Sequence, residues 1–245
     1  MDVASPLPGQ TRLFLSRLPQ LAVSYIILGA VLLRSAGRLD WVDAWVFLLT
    51  YFLVAAAGQA WLIRVDPSLV QERARWGGNT KAWDRWIISA NGVLTLVLLA
   101  AIGLDAGRFG GSHVPWAVRA LALLGFVPAF GLPRLASRAN TYLSSSVRIQ
   151  EERGHGEASE SPYAWIRHPM CAGMILLDVS LPLLVGSWYG LGVSVVMIAL
   201  VILRTAREDR TLHAELPGYA SYAPRERFRL VPGVWQPAPR SLPGG

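Results

Sequence analysis

Arg167, His168 and Pro169 stand in a row at the entrance to an almost uninterrupted apolar run. The run ends at Leu203, and a second charged cluster follows at once: Arg204, Arg207, Glu208, Asp209 and Arg210. Pro169 suits the first position of a helix, where its missing N–H is one that would be unpaired anyway. The free N–H groups of that first turn, with Arg167 and His168, attract an anion. Gly173, one turn on, lets a ligand or another helix come close. At the far end of the run, Glu208 and Asp209 offer carboxylates to an ammonium or to ribose hydroxyls. If the run folds back on itself, the two clusters meet on one membrane face. One pocket then has an anion-binding corner and a cation-binding corner, which suits a zwitterionic amino-acid moiety. S-adenosylmethionine carries such a moiety, and Tyr163, Trp165, Tyr219 and Tyr222 are available as walls for its adenosine and sulfonium.

The elements that must position these residues are apolar helices. The chain has 245 residues, 53% hydrophobic and only 16% charged, where a soluble domain carries about 25% charged residues. Apolar runs recur near the length of about 20 residues that crosses a hydrocarbon core of about 30 Å. They are Leu18–Leu33, Trp41–Ile63, Trp86–Leu104, Val114–Leu132, Met170–Val185 and Trp188–Leu203. The last two are separated only by Gly186-Ser187 and read as a tight hairpin with a buried turn. The expected fold is all-α: a polytopic membrane bundle of about six transmembrane helices, ending in a helical hairpin above a cytoplasmic cofactor pocket.

Of the 23 Lys and Arg, all except Arg34, Arg38, Arg108 and Arg119 fall in segments on one side of such a bundle. The positive-inside rule places that side, and both termini, in the cytoplasm. The net charge of +7 is accounted for by topology and anionic headgroups, which argues against nucleic acid as a partner. The N-terminus lacks a small-x-small cleavage site of the kind a signal peptide needs. The single cysteine excludes an internal disulfide framework, and the four scattered histidines show no paired metal-ligand spacing.

Residues 1–17 are Pro-rich and expected to be loose, residues 18–236 form the membrane domain, and 237–245 form a flexible tail. Pro67 could open a short interfacial helix through Glu72-Arg73, with Trp76, Trp83 and Trp86 as headgroup anchors. Asn140–Gln150 alternates weakly and reads as extended, Glu151–Pro162 as a turn-rich loop. Arg204–Leu216 should continue the last span as a helix, ended by Pro217-Gly218, with Tyr219 and Tyr222 in a short final element.

The segment Ser161-Pro162-Tyr163-x-x-x-Arg167-His168-Pro169-x-Cys171-x-Gly173, followed by a hairpin and Glu208-Asp209-x-x-Leu212, resembles the isoprenylcysteine carboxyl methyltransferase and phospholipid methyltransferase superfamily. So do Glu72-Arg73 with Trp83-Asp84-Arg85, and Pro217-Gly218-Tyr219-x-x-Tyr222 through Arg229-Leu230-Val231-Pro232-Gly233-Val234-Trp235. The resemblance covers roughly residues 64–235. It implies an integral-membrane methyltransferase dependent on S-adenosylmethionine, with the cofactor site mainly within 161–235. The implied cofactor contacts are Tyr163, Arg167, His168, Pro169, Cys171, Gly173, Glu208, Asp209, Tyr219 and Tyr222. The chain departs from the family pattern at Cys171, usually Tyr; at Ser161, usually Gly; and at Asp209, often Glu. Cys171 lacks an aromatic wall and a hydroxyl, which bears on both cofactor contacts and substrate.

Methyl transfer from a sulfonium is an in-line displacement that needs no metal, only close positioning and exclusion of water. A carboxylate acceptor is already ionised and needs a cation such as Arg204 or Arg207 to orient it. An amine acceptor needs a base, for which Glu208 is the candidate. The favoured acceptor is a lipid-like carboxylate, entering laterally from the bilayer; a phospholipid amine or a small thiol is the alternative. A non-catalytic scaffold or transporter is the reading from another class, but a transporter predicts internal symmetry and broken helices, and neither is visible in the sequence.

Blander readings compete at single residues. Glu208 and Asp209 could simply pair with neighbouring arginines along a solvated helix, for a few tenths of a kcal/mol. Asp178 lies inside an apolar span, where a charge is expensive, and fits either a site residue or a structural hydrogen bond. Asn91 and Gln59 read as hydrogen bonders between helices. Cys171 has no base nearby in sequence and reads as lining the pocket, not as a nucleophile.

Overall fold

The computed structural model describes residues 8–67, 70, 80–139, 162–216, 218–223 and 228–230. The described helices are α1 (Pro8–Ala36), α2 (Val42–Val65), α3 (Ala82–Ile102), α4 (Trp116–Ala139), α5 (Pro169–Val185), α6 (Gly190–Glu215) and the single turn α7 (Tyr219–Tyr222). A π-helical stretch, Gly103–Phe109, continues α3. Five segments are long and apolar enough to cross a membrane: Thr11–Ala36, Val42–Val65, Ala82–Phe109, Trp116–Ala139 and Gly190–Glu215. The sixth, α5, is a shorter apolar helix, reaching about 26 Å at 1.5 Å per residue. The six expected apolar segments therefore all fold as helices of a polytopic membrane bundle.

One expectation changes. Helix α1 begins at Pro8, so residues 8–17, expected to be loose, are helical. Leu13 and Phe14 find apolar partners in Leu62 and Ile63 at the end of α2 and in Val70 beyond it, which draws the segment into the fold. The interfacial helix through Glu72-Arg73, the anchor Trp76, the extended segment 140–150 and the loop through Ser161 lie outside the described residues. So do Pro217, 232–235 and the tail.

The main core joins α1 and α2 to the later helices through Leu32, Phe47, Leu48, Leu98, Leu99, Ile102, Phe126, Leu181, Val185 and Met197. Large apolar residues such as Val93, Leu124, Val127 and Val195 point outward and are exposed, as expected where lipid is the solvent. Helix α4 contains prolines at 128 and 133, which membrane helices tolerate better than soluble ones.

The hairpin that carries the site forms as its sequence suggests. Gly186 closes α5 in the left-handed region, φ 99°, which costs a glycine nothing. Ser187 is fully buried. Its hydroxyl and that of Ser112 both donate to Asp105 Oδ2, while Trp188 N donates to Ser112 Oγ. One carboxylate thus ties the α3–α4 connection to the hairpin turn. Gly173 lets α5 lie against α4: a Cβ there would sit 2.9 Å from Ala129 O and 3.0 Å from Pro133 Cδ. Of its two expected roles, close approach of another helix is the one this packing bears on. Ser194 on α6 donates to the backbone carbonyl of Asp178, and Asp178 Oδ2 is buried without a partner among the described residues. Asn91, expected to bond between helices, also buries both amide atoms unpartnered there.

Candidate functional site

Folding back of the hairpin brings its two charged ends together. His168 caps α5 with Pro169 in the first turn, and the backbone N–H groups of Arg167 and His168 donate to Phe228 O and Arg229 O, each 3.0 Å. The approach to α5 is thereby laced to the chain beyond α7. Helix α6 runs unbroken from the apolar span into the charged segment. Arg204 and, one turn further along it, Glu208 and Asp209 present themselves to that approach.

Asp209 is the hub, only 1% exposed. Tyr219 Oη donates to its Oδ1 at 2.9 Å and Arg229 Nε to its Oδ2 at 2.9 Å. Arg167 Nη2 and His168 Nε2 both lie 3.3 Å from Oδ1. His213 adds a contact from the same helix, Nδ1 to the Asp209 carbonyl at 2.8 Å. Tyr219 also meets the His213 ring edge-on, centroids 4.9 Å apart. Burial and the adjacent Asp209 hold the Tyr219 phenol well above its usual pKa, so it stays a donor. These partners make Asp209 the organising carboxylate of the site and leave it little capacity for a ligand. The reading of Glu208-Asp209 as a solvated face making exposed pairs does not hold for Asp209.

Glu208 differs. Its side chain keeps 19% exposure, with Oε2 3.7 Å from His168 Nδ1 and 3.9 Å from the Cys171 sulfur. His168 is therefore flanked by a carboxylate at each ring nitrogen. Burial opposes a charge on this imidazole, but Asp209 and Glu208 outweigh it and raise the His168 pKa above its ordinary value.

Arg204 is 2% exposed. Its Nε donates to Asp84 Oδ1 at 2.8 Å, and Nη1 approaches the Cys171 sulfur at 3.7 Å. Asp84, in the first turn of α3, is itself fully buried. Arg207 stacks on Trp83, Cζ 5.8 Å from the ring centroid, and Lys81 pairs with Glu215 at 2.7 Å. The start of α3 is thus clamped along the charged half of α6. Cys171 lies at the corner where Arg204 and Glu208 meet, buried at 1% exposure. Tyr222 donates to the Tyr163 carbonyl at 2.9 Å, and the Tyr219 and Tyr222 rings tilt together at 5.5 Å. Tyr163, Tyr219 and Tyr222 are all buried and tie the segments around the site. Trp165 is 71% exposed.

Sequence reasoning missed Asp84 as the partner of Arg204 and Arg229 as a partner of Asp209. The signal for Asp84 is a lone carboxylate in the first turn of an otherwise apolar helix. Arg229 sits in a segment with no periodic pattern to place it.

The residues fit the zwitterion in part. Arg167 is 3% exposed, and its Nε and Nη1 are buried with no hydrogen-bond partner among the described residues. Buried guanidinium donors left unpaired are expensive, and a ligand carboxylate would satisfy them. Of the two carboxylates Glu208 has the more room for an ammonium, its side chain 19% exposed against 2% for Asp209.

The fold and this cluster define a class: a multi-pass helical membrane protein with a buried acid–base site beneath its last hairpin. Residues 134–214 match the model of the Isoprenylcysteine carboxyl methyltransferase (ICMT) family, the family that the Arg167–Gly173 and Glu208-Asp209 blocks resemble. The match spans α4 beyond Arg134, all of α5 and almost all of α6, and it supports methyl transfer at a membrane as the class of activity. A search of the curated proteins finds no match.

Proposed function

We infer that this protein transfers a methyl group from S-adenosylmethionine to a lipid-like acceptor, most simply to a carboxylate. The observation that carries this reading is the unpaired, buried guanidinium edge of Arg167 beside His168 and Asp209, within the segment matched to the family. When bound, the cofactor supplies a methyl group activated by a sulfonium. Arg167 would hold its carboxylate and Glu208 its ammonium. Asp209 fixes Arg167 and His168 in place, supported by Tyr219 and Arg229. Burial of the cluster excludes water from the reacting centre.

A carboxylate acceptor is the simpler reading because, already ionised, it needs no base. Arg204, paired with Asp84 through Nε, presents Nη1 at the Cys171 corner, where it could orient the acceptor. An amine acceptor would depend on Glu208 as the base, in conflict with its role toward the cofactor. The acceptor enters laterally from the bilayer, and the site opens on the cytoplasmic side.

Cofactor binding is the first test. S-adenosylhomocysteine should raise the melting temperature of the purified protein, and methyl-labelled S-adenosylmethionine should pass label to prenylcysteine analogues in preference to phospholipid amines and small thiols. Arg167→Gln should weaken binding by roughly tenfold, about 1.4 kcal/mol. Absence of both a thermal shift at saturation and label transfer to any of the three acceptors would overturn the reading.

A further inference from the structure

A cleft of about 260 Å3 opens between α2 and α4, lined in part by Ala55, Gly58, Gln59, Phe130, Arg134 and Ser137 and by no residue of the Asp209 cluster. Arg134 reaches across it. Nη1 donates to Phe130 O and Nη2 to Val54 O, each 2.6 Å. Gly58 makes room for this, since a Cβ there would overlap the guanidinium. Two helix carbonyls satisfy donors but carry no net charge. The ion pairs formed by described residues leave Arg134 without a carboxylate, and among those residues the positive charge beside the cleft is uncompensated.

Depth identifies what compensates it. Trp116, at the opposite end of α4, is 82% exposed, as befits an interfacial anchor. From 116 to 134 the helix rises about 27 Å, close to the hydrocarbon thickness of about 30 Å. Arg134 therefore lies at the level of the other leaflet's phosphates. Arg64 and Arg138, exposed near the same ends of α2 and α4, extend the positive field there.

We propose that the α2–α4 cleft binds an anionic phospholipid, with its phosphate on Arg134 and its acyl chains in the surrounding bilayer. The site is separate from the methyl-transfer reading, and its test uses no cofactor. Purified protein is exchanged with phosphatidylglycerol or phosphatidylcholine, and retained lipid is measured by native mass spectrometry. Phosphatidylglycerol should be held about fivefold more tightly, the factor expected for one added cationic contact near a membrane surface. Arg134→Gln should abolish the preference. Arg134→Lys should keep it, although a lysine cannot bridge the two carbonyls. Ala55→Phe, which fills the cleft without altering the cation, should reduce retention and covers the case in which Arg134→Gln fails to fold. Glycerol phosphate should not compete. Equal retention of the two lipids, an undiminished preference in Arg134→Gln, undiminished phosphatidylglycerol retention in Ala55→Phe, loss of the preference in Arg134→Lys, or competition by glycerol phosphate would each overturn the proposal.

Discussion

At the scale of single residues, the carboxylate pair on α6 divides into two jobs. Asp209 gathers Tyr219, Arg229, Arg167 and His168, whereas Glu208 stays partly open beside His168 and Cys171. The two amide substitutions should therefore separate. Asp209→Asn removes the charge from hydrogen bonds worth about 1.5–3 kcal/mol each, so it should lower the melting temperature measured in detergent. Glu208→Gln should leave the melting temperature close to wild type and weaken S-adenosylhomocysteine binding, read by calorimetry. Equal effects of both on stability would contradict this division.

His168 makes a second residue-scale prediction. Its pKa is raised in the folded protein because Asp209 and Glu208 outweigh the penalty of burial. A raised value means that its contribution to stability is complete below the unfolded pKa of about 6.5 and fades as pH climbs through the folded value. Thermal stability should thus fall as pH rises above about 6.5 in the wild type. His168→Gln should flatten that part of the profile; an unchanged slope in the variant would assign the effect to another group.

At the scale of elements, the clamp between the start of α3 and the charged half of α6 holds the Cys171 corner together. Its centre is the Asp84–Arg204 pair, with side chains 0% and 2% exposed. Removing one partner of a buried pair strands the other charge and costs about 3–5 kcal/mol, while replacing both by apolar residues is often tolerated. Asp84→Leu alone should therefore destabilise strongly, and Asp84→Leu with Arg204→Met should recover much of the loss in denaturation experiments. The double variant should still lose methyl transfer if Arg204 orients the acceptor. Recovery of both stability and activity would reduce Arg204 to a structural role.

At the scale of the whole molecule, six apolar spans are expected to return the chain to the side on which it began, and the basic residues favour that side as cytoplasmic. Cysteine reporters in a Cys171→Ser background test this orientation. Reagents that do not cross membranes should label His113→Cys in sealed cells, but label Asp2→Cys and Ser241→Cys only after permeabilisation. The reverse pattern would invert the topology and move the cofactor site to the outside.

The sequence by itself determined the apolar helices, the tight turn at Gly186-Ser187 and the meeting of Arg167-His168 with Glu208-Asp209. Those features follow from local composition: helix length from hydrophobic runs, the first helical turn from Pro169, the turn from a glycine able to take positive φ. Only the tertiary structure decided which carboxylate stays partly exposed, that Arg204 is held by Asp84, and that α4 packs against Gly173. Each of those depends on contacts between segments far apart in the chain. A pattern of types and spacings says which face of a helix is apolar or charged, but not which distant side chain will meet it there.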